Sequence, residues 1–282
     1  MSNLHAPIDL QKNPSKFTSE FAESRKSRTG KSVLHNGIDL APDSGSSGPV
    51  EILSMQEGVV IKVGTQIGKD KKGYGNFIVI KNPDGTSYLY AHLQSSSLTK
   101  GNKIEAGDTI GIMGESGAPG QYHLHIEKLT QEATEIVQNT NGSNVLGIVG
   151  GTEGLKHRID LTEELLIGFT ALAANYAKEL GGKFDLQLNQ RAHTVTETNA
   201  VLKTIKKFLS SLFNQKSKLT GLEKNKRRKT VRYQIDFKIW VSVADAIQMV
   251  KKGLLDGVIV TNSKGTTFLK TRPDATTTNN LV

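Results

Sequence analysis

Between Leu34 and Leu129 glycine and proline recur every few residues, and no helical periodicity runs through them. That punctuation confines the stretch to short strands joined by turns. Glu57–Val63 and Asn76–Lys81 read as strands. Asn82-Pro83-Asp84-Gly85 is a strong turn signal, and Tyr88–Leu93 follows as its return strand. Short strands at this spacing predict a β-rich antiparallel sandwich or barrel-like sheet.

The pattern changes after Asn141-Gly142-Ser143-Asn144 and Gly150-Gly151, which mark an expected linker over 136–155. Thr162 is placed to cap a helix that stops at Gly181-Gly182. Phe184, Leu186 and Leu188 alternate as in a strand. Val201, Leu202, Ile205, Phe208, Leu209, Leu212 and Phe213 recur at helical spacing. Val231, Tyr233, Ile235, Phe237, Ile239 and Val241 alternate throughout, which predicts one half-buried strand. Ser242 is placed to cap a short helix ending at Gly253, and Leu254–Thr261 reads as a closing strand. The expected organisation is an N-terminal arm (1–30), a strand-rich domain (31–135), a linker (136–155), an α+β second domain (156–272) and a polar tail (273–282).

Charge divides along the same line. Residues 1–150 hold 14 Lys/Arg and 15 Asp/Glu, whereas residues 151–282 hold 22 and 12, within a net charge of +9. A neutral half and a basic half predict two domains with different partners. The run Lys224–Lys229 reads first as a solvated loop; its sharper reading is an anionic partner, such as teichoic acid, nucleic acid or an acidic protein surface. No apolar run is long enough to span a bilayer, and the first thirty residues lack the apolar core of a secretory signal. The expected location is therefore a cytoplasm before lysis, a virion, or a mature form.

The chain has no cysteine, which excludes disulfides, thiolate catalysis and cysteine metal sites. Any transition-metal site must use His, Asp or Glu. Of the seven histidines, four fall between 35 and 125. His35-Asn36-Gly37-Ile38-Asp39 is an H-x-x-x-D pair, weak when alone. His123-Leu124-His125 is sharper, because residues i and i+2 of a strand project from one face. His92 ends the return strand and offers a third imidazole. A catalytic zinc takes three protein ligands and keeps one position open, and two His plus one carboxylate fit that count. The surplus imidazoles suit acid/base work, which a structural zinc would not need. The donor types alone also admit manganese, iron or cobalt. His5, His157 and His193 lack such settings and read as surface or core residues. Tyr74, Tyr88, Tyr90 and Tyr122 suit either a groove lining or strand packing.

From about Val33 to Leu129 this sequence resembles the lysostaphin/LytM-type zinc metallopeptidases. The resemblance rests on His35–Leu40, Gly48-Pro49-Val50, Glu57–Val60, Gly73–Ile80, Asp84-Gly85, Tyr90–Leu93, Lys100-Gly101, Ala106–Gly111, Gly114–Gly117 and His123–Glu127, all in family order. It implies a zinc-dependent endopeptidase acting on peptidoglycan, with zinc on His35, Asp39 and His125. It further implies that His92 and His123 flank the open position, that one of the two orients or deprotonates water, and that both stabilise an oxyanion. Two stretches depart from the pattern: the charged loop Gly68–Lys72, and Gly117–Tyr122, which replaces a hydroxyl-rich run beside the family's substrate groove.

The element order of the second domain also resembles, weakly, D-Ala-D-Ala carboxypeptidase-like domains, but their motif S-x-H-x-x-G-x-A-x-D is absent. The expected partners are peptidoglycan and, through the second domain and the termini, phage tail or baseplate proteins. No membrane span and no nucleic acid are expected. A vestigial structural hub protein and a free lysis enzyme are the competing readings.

Overall fold

The computed structural model describes residues 4–26, 30–43, 49–179, 194–214, 217–225, 230–235, 239–251, 255–263 and 265–270. The chain divides into two compact units, Met1–Phe208 and Leu209–Val282.

The first unit is built on a strongly antiparallel sheet. Its strands are β1 (Ser15–Ser19), β2 (Ser24–Lys26), β3 (Ser32–Leu34), β4 (Ile38–Pro42), β5 (Glu51–Leu53), β6 (Gly58–Gln66), β7 (Gly75–Lys81), β8 (Ser87–Ser95), β9 (Lys103–Ile104), β10 (Thr109–Met113), β11 (Leu124–Leu129) and β12 (Arg158–Ile159). The main sheet runs β1-β4-β11-β8-β7-β6-β9, with β10 joining β5 to β8 and β12 beside β11. β2 and β3 form a separate hairpin. The turn expected at Asn82–Gly85 is present: Gly85 takes φ 85° and Asp84 Oδ1 accepts from the Thr86 amide at 2.9 Å.

Period-2 alternation divides the sheet into two faces. One face carries Phe77, Val79, Leu89, Ala91 and Leu129, which pack with Ala133 and Val137 of helix α1 (Gln131–Asn139). Lys62 reaches under the end of that helix, where its ammonium donates to the carbonyls of Val137, Thr140 and Val145. The other face carries Tyr88, Tyr90 and Ile126, all fully buried. Helix α2 (Thr162–Glu179) packs on it: Glu164 accepts from the Tyr88 hydroxyl at 2.8 Å and pairs with Lys128 at 2.5 Å. Phe169 of α2 meets Phe17 of β1 edge-on, with ring centroids 6.4 Å apart. The helix begins at Thr162 itself, whose amide is taken by Asp160 Oδ1 at 2.9 Å.

Three expectations change here. Residues 4–26 are no free arm: Ala6, Ile8 and Leu10 are buried, and β1 pairs with β4. Alternation over five residues was too short to register there as a strand. The stretch 136–155 does not separate domains, because α2 must bury its apolar residues and the back of the sheet is where it does so. Helix α3 (Val195–Asn214) likewise begins in the first unit. Its Asn199 amide group both accepts from the Phe17 amide and donates to the Phe17 carbonyl, at 2.9 Å each, covering the edge that β1 would leave open. The boundary therefore falls near Phe208 rather than in the glycine-rich stretch.

The second unit contains β13 (Ser217–Lys224), β14 (Thr230–Ile235), β15 (Ile239–Ser242), α4 (Val243–Lys251), β16 (Leu255–Asp256), β17 (Val258–Thr261) and β18 (Thr267–Lys270). The order β15-β14-β13-β16 makes a four-stranded sheet, and β17 pairs with β18. Tyr233, Ala246, Leu255 and Leu269 form its buried cluster. Ser242 caps α4 by accepting from the Asp245 amide at 3.1 Å. The single strand expected over 231–241 is two antiparallel strands, with Ile235 opposite Ile239 and Tyr233 opposite Val241. In that register odd-numbered residues oppose odd-numbered ones, so alternation continues unbroken across the reversal and hides it. Residues 209–282 hold 14 Lys/Arg and 5 Asp/Glu, so the basic charge of the chain belongs to this unit. The strand expected at Phe184–Leu188, His193, most of the Lys224–Lys229 run and the tail lie outside the described residues. No helix among the described residues is long and apolar enough to cross a membrane.

Candidate metal centre

Asp39 and His125 sit directly opposite each other on β4 and β11. Opposed residues of an antiparallel pair project from the same face, here the face covered by α1. His35 precedes β4, where its amide donates to the Glu23 carbonyl at 2.9 Å. The approach of this segment to β11 leaves no room beside Gly37: a Cβ there would lie 2.3 Å from the Ile126 carbonyl oxygen. Glycine at 37 thus lets His35 and Asp39 reach His125.

The three side chains meet in a small, buried cluster, with one donor atom from each within 4.8 Å of the others. His125 Nδ1 lies 2.8 Å from Asp39 Oδ1 and 3.0 Å from His35 Nε2, and His35 Nε2 lies 3.3 Å from the same carboxylate oxygen. Burial opposes the Asp39 charge, yet the hydrogen bonds from His125 and His35 hold its carboxyl far below the usual carboxylate range. Burial likewise opposes charge on His125, but hydrogen bonds to Asp39 and Glu127 lift it to about 9.

His92 and His123 stand beside this cluster. Their ring centroids are 4.6 Å apart, and that of His92 is 5.7 Å from that of His125. His123 shares its face with His125 by alternation, and its Nε2 is 3.7 Å from Asp39 Oδ1. His92 does not follow alternation. Ala91 lies opposite His125, so a regular β8 would send the next side chain to the other face. Instead the register with β7 shifts near Asn76, and His92 takes φ 61°. This bulge turns the imidazole into the site. Burial, with His125 and His123 close by, pushes its imidazole down to about 3, and burial lowers His123 as well.

All four imidazoles are held from behind. The Nδ1 atoms of His35, His92 and His123 lie 2.9, 2.8 and 2.7 Å from the carbonyls of Glu20, Ser116 and Gln121. His125 turns Nε2 to Glu127 Oε1 at 3.0 Å. A carbonyl or carboxylate only accepts, so the outer nitrogen of each ring carries a proton and the inner nitrogens of His35, His92 and His123 present lone pairs, whereas His125 Nδ1 also faces a carboxylate and carries a second proton that a metal ion would replace. Two lone pairs and a carboxylate oxygen facing one another within about 3 Å call for a cation between them. A proton at His125 Nδ1 is one; a divalent ion such as zinc, bound by two imidazoles and one carboxylate, fits the same donors.

A groove crosses the centre. One cavity, about 430 Å³, is lined by Val33, Leu34, Tyr74, Ile148 and Gly151 beside His35 and His125. A second, about 440 Å³, is lined by Ser19, Glu23, Gln121 and Tyr122 beside His123. Between them Gly117, Ala118, Pro119, Lys72 and both flanking histidines line the middle, so the two stretches that depart from the family pattern border the groove. Tyr88 and Tyr90 are core residues, whereas Tyr74 and Tyr122 line the groove. His5 faces the carbonyl of Ala6 through Nδ1, and neither it nor His157 lines these cavities.

Three residues without an assigned role in the sequence reading belong to the site. Arg25 Nη2 donates to Asp39 Oδ2 at 2.5 Å, so the carboxylate turns one oxygen to the imidazoles and the other to a guanidinium. Glu127 and Arg158 lie behind His125, paired at 2.9 Å. Glu127 carried a readable signal, since position i+2 of a strand shares the face of His125. Arg25 and Arg158 carried none, because strand pairing rather than sequence proximity brings them there.

Residues 33–137 match the model of Peptidase family M23, and residues 223–282 match a family described as Protein of unknown function (DUF3892). DD-carboxypeptidase/endopeptidase Mpg of Neisseria meningitidis serogroup B is 38% identical over 94 residues, 33% of this chain and 20% of that protein. Peptidoglycan DD-endopeptidase ShyB of Vibrio cholerae is 33% identical over 127 residues, 44% of this chain and 27% of that protein. The chain thus spans about a quarter or less of the length of these relatives. The catalytic domain of the antimicrobial peptidase lysostaphin from Staphylococcus simulans is 18% identical, covering 57% of this chain and 98% of that chain at a TM-score of 0.40.

Proposed function

We propose, from the premise that residues 33–137 form a peptidase family M23 domain, that this protein is a zinc-dependent endopeptidase of peptidoglycan peptides. The observation that carries the reading is the convergence of one ligand atom each from His35, Asp39 and His125, beside two further imidazoles on a groove. The similarity to Mpg, a DD-carboxypeptidase/endopeptidase, and ShyB, a peptidoglycan DD-endopeptidase, supports the substrate class.

His35 Nε2, Asp39 Oδ1 and His125 Nδ1 are the atoms that would hold the ion. Bound zinc supplies polarisation of the scissile carbonyl and makes water nucleophilic near neutral pH. His92 Nε2 and His123 Nε2, each with its Nδ1 proton tied to a backbone carbonyl, accept a proton from water and return it to the leaving amine. In their protonated form the same Nε2 atoms donate to the developing oxyanion. The groove walls align the peptide across these atoms and exclude bulk water.

The test uses the full chain and His125→Ala. Near-stoichiometric zinc, with chelator-sensitive release of new amino groups from purified sacculi and loss of both in the variant, is expected. Zinc-free protein inactive on several wall chemotypes would sink the reading in favour of a structural protein with a vestigial site.

Carriage on a phage virion is the finer part of the proposal. It now rests on the basic second unit, since residues 4–26 are packed into the first. Detection in purified virions supports it; detection in the lysate alone overturns it.

A further inference from the structure

The pair Glu127–Arg158 is fully buried, with both side chains 0% exposed. Glu127 Oε1 accepts from His125 Nε2 at 3.0 Å and from the Tyr74 hydroxyl at 2.7 Å, and Oε2 accepts from Arg158 Nε at 2.9 Å. Arg158 spends its other nitrogens as well. Nη2 donates to the Tyr74 hydroxyl at 3.1 Å, and Nη1 donates to the carbonyls of Val149 at 2.6 Å and Gly154 at 3.0 Å. A buried ion pair contributes little net stability compared with apolar groups of the same shape, so stability alone is a weak reason for this network. Its position is the better reason. It lies directly behind one candidate ligand and directly behind one wall of the groove.

That wall is the segment 148–151, whose Ile148, Gly150 and Gly151 line the 430 Å³ cavity. It is tied at its other side to Asn36, the neighbour of His35: Asn36 Nδ2 donates to the Gly151 carbonyl at 2.9 Å, and the Gly151 amide donates to Asn36 Oδ1 at 2.5 Å. Wall and ligands are thus bolted together twice. Arg158 itself lies outside residues 33–137 and arrives through the pairing of β12 with β11.

The geometry points to Arg158 as a positioning residue, acting on His125 through Glu127 and on the substrate groove through Val149 and Gly154. This rests on the reading that His35, Asp39 and His125 hold the metal. Glu127 fixes the proton on His125 Nε2 and the orientation of the ring, which keeps Nδ1 available to the ion. Arg158 holds Glu127 in that place and fixes the wall beside it.

The experiment compares wild type with Glu127→Gln, Arg158→Met and Arg158→Lys in the full chain. Zinc affinity is read by competition with a chromophoric chelator, folding by melting of the metal-free protein, and catalysis by kcat and KM on a soluble muropeptide. Glu127→Gln and Arg158→Met are expected to lose roughly 10- to 100-fold in zinc affinity, the usual range for partners of metal-bound histidines. Arg158→Lys restores a cation to Glu127 but not the fork to Val149 and Gly154. It is expected to recover most of the zinc affinity while KM stays raised. Folded Glu127→Gln and Arg158→Met proteins that bind zinc like wild type overturn the inference. If Arg158→Met does not fold, Arg158→Lys decides: wild-type zinc affinity with an unchanged KM overturns the inference. Wild type that takes no zinc removes the metal reading and this inference together, whereas wild type that binds zinc and cleaves, with unaffected variants, removes the inference only.

Discussion

Gly37→Ala puts a single methyl group between two strands that must stay close for the site to exist. Its Cβ would lie 2.3 Å from the Ile126 carbonyl oxygen and 2.9 Å from both Glu127 Cγ and His125 Cε1. Ordinary contact begins at 3.4 Å, so β4 and β11 must part by about 1 Å. The nearest atom is backbone, so no rotamer change relieves the clash. Overpacking of this kind costs about 1–3 kcal/mol. For a unit the size of Met1–Phe208 that is roughly 2–12 °C in melting temperature. The effect on the centre is larger, because a functional constellation tolerates displacements of only about 0.5 Å. Asp39 and His125 sit on the two strands being separated, so zinc affinity is expected to fall by on the order of tenfold or more. Differential scanning calorimetry of the metal-free protein and chelator competition measure the two effects separately. A Gly37→Ala protein that melts within about 1 °C of wild type and binds zinc equally well would refute the claim that close approach at Gly37 builds the site.

His92→Asn keeps a residue that tolerates positive φ and removes the imidazole; it is expected to retain zinc and lose about 10²- to 10⁴-fold in turnover, measured on muropeptides. Loss of zinc from the variant as well would move His92 into the ligand set. Zinc at 100 times its dissociation constant should stabilise the first unit by about 2.7 kcal/mol, seen as a rise in its melting temperature that a chelator reverses. An unchanged melt would argue that the folded chain does not bind the ion. Phe169→Ala removes a fully buried ring packed edge-on against Phe17 and should cost about 3–5 kcal/mol. Since α2 lies beyond the matched peptidase segment, an unaltered melt of the first unit would show that α2 is not part of it.

Much of this was readable locally. Gly and Pro punctuation located the strands of the first unit, and the i, i+2 spacing of His123 and His125 placed two imidazoles on one face. Helical periodicity located α3, and Ser242 the start of α4. The failures share a cause. The two strands within 231–241 were hidden because pairing Ile235 with Ile239 preserves parity. The burial of the N-terminal segment depends on β4, Met55 and α2 rather than on its own pattern: β1 pairs with β4, the His5 amide donates to the Met55 carbonyl at 2.8 Å, and the Tyr176 hydroxyl donates to Asp9 at 2.7 Å. Arg25 and Arg158 sit on flanking segments, and nothing near them in sequence refers to the centre.

The sequence by itself determined the chemistry on offer: no thiols, four imidazoles and a carboxylate within one strand-rich stretch, and a basic second half. Residue identity and short-range spacing are local properties and survive in the unfolded chain. Tertiary structure decided which of those groups meet. Register placed Asp39 opposite His125, a bulge at φ 61° turned His92 across the plane that alternation assigned it, and β12 carried Arg158 behind Glu127. Each depends on pairing between strands far apart in sequence, and hydrogen-bond register exists only once those strands have come together.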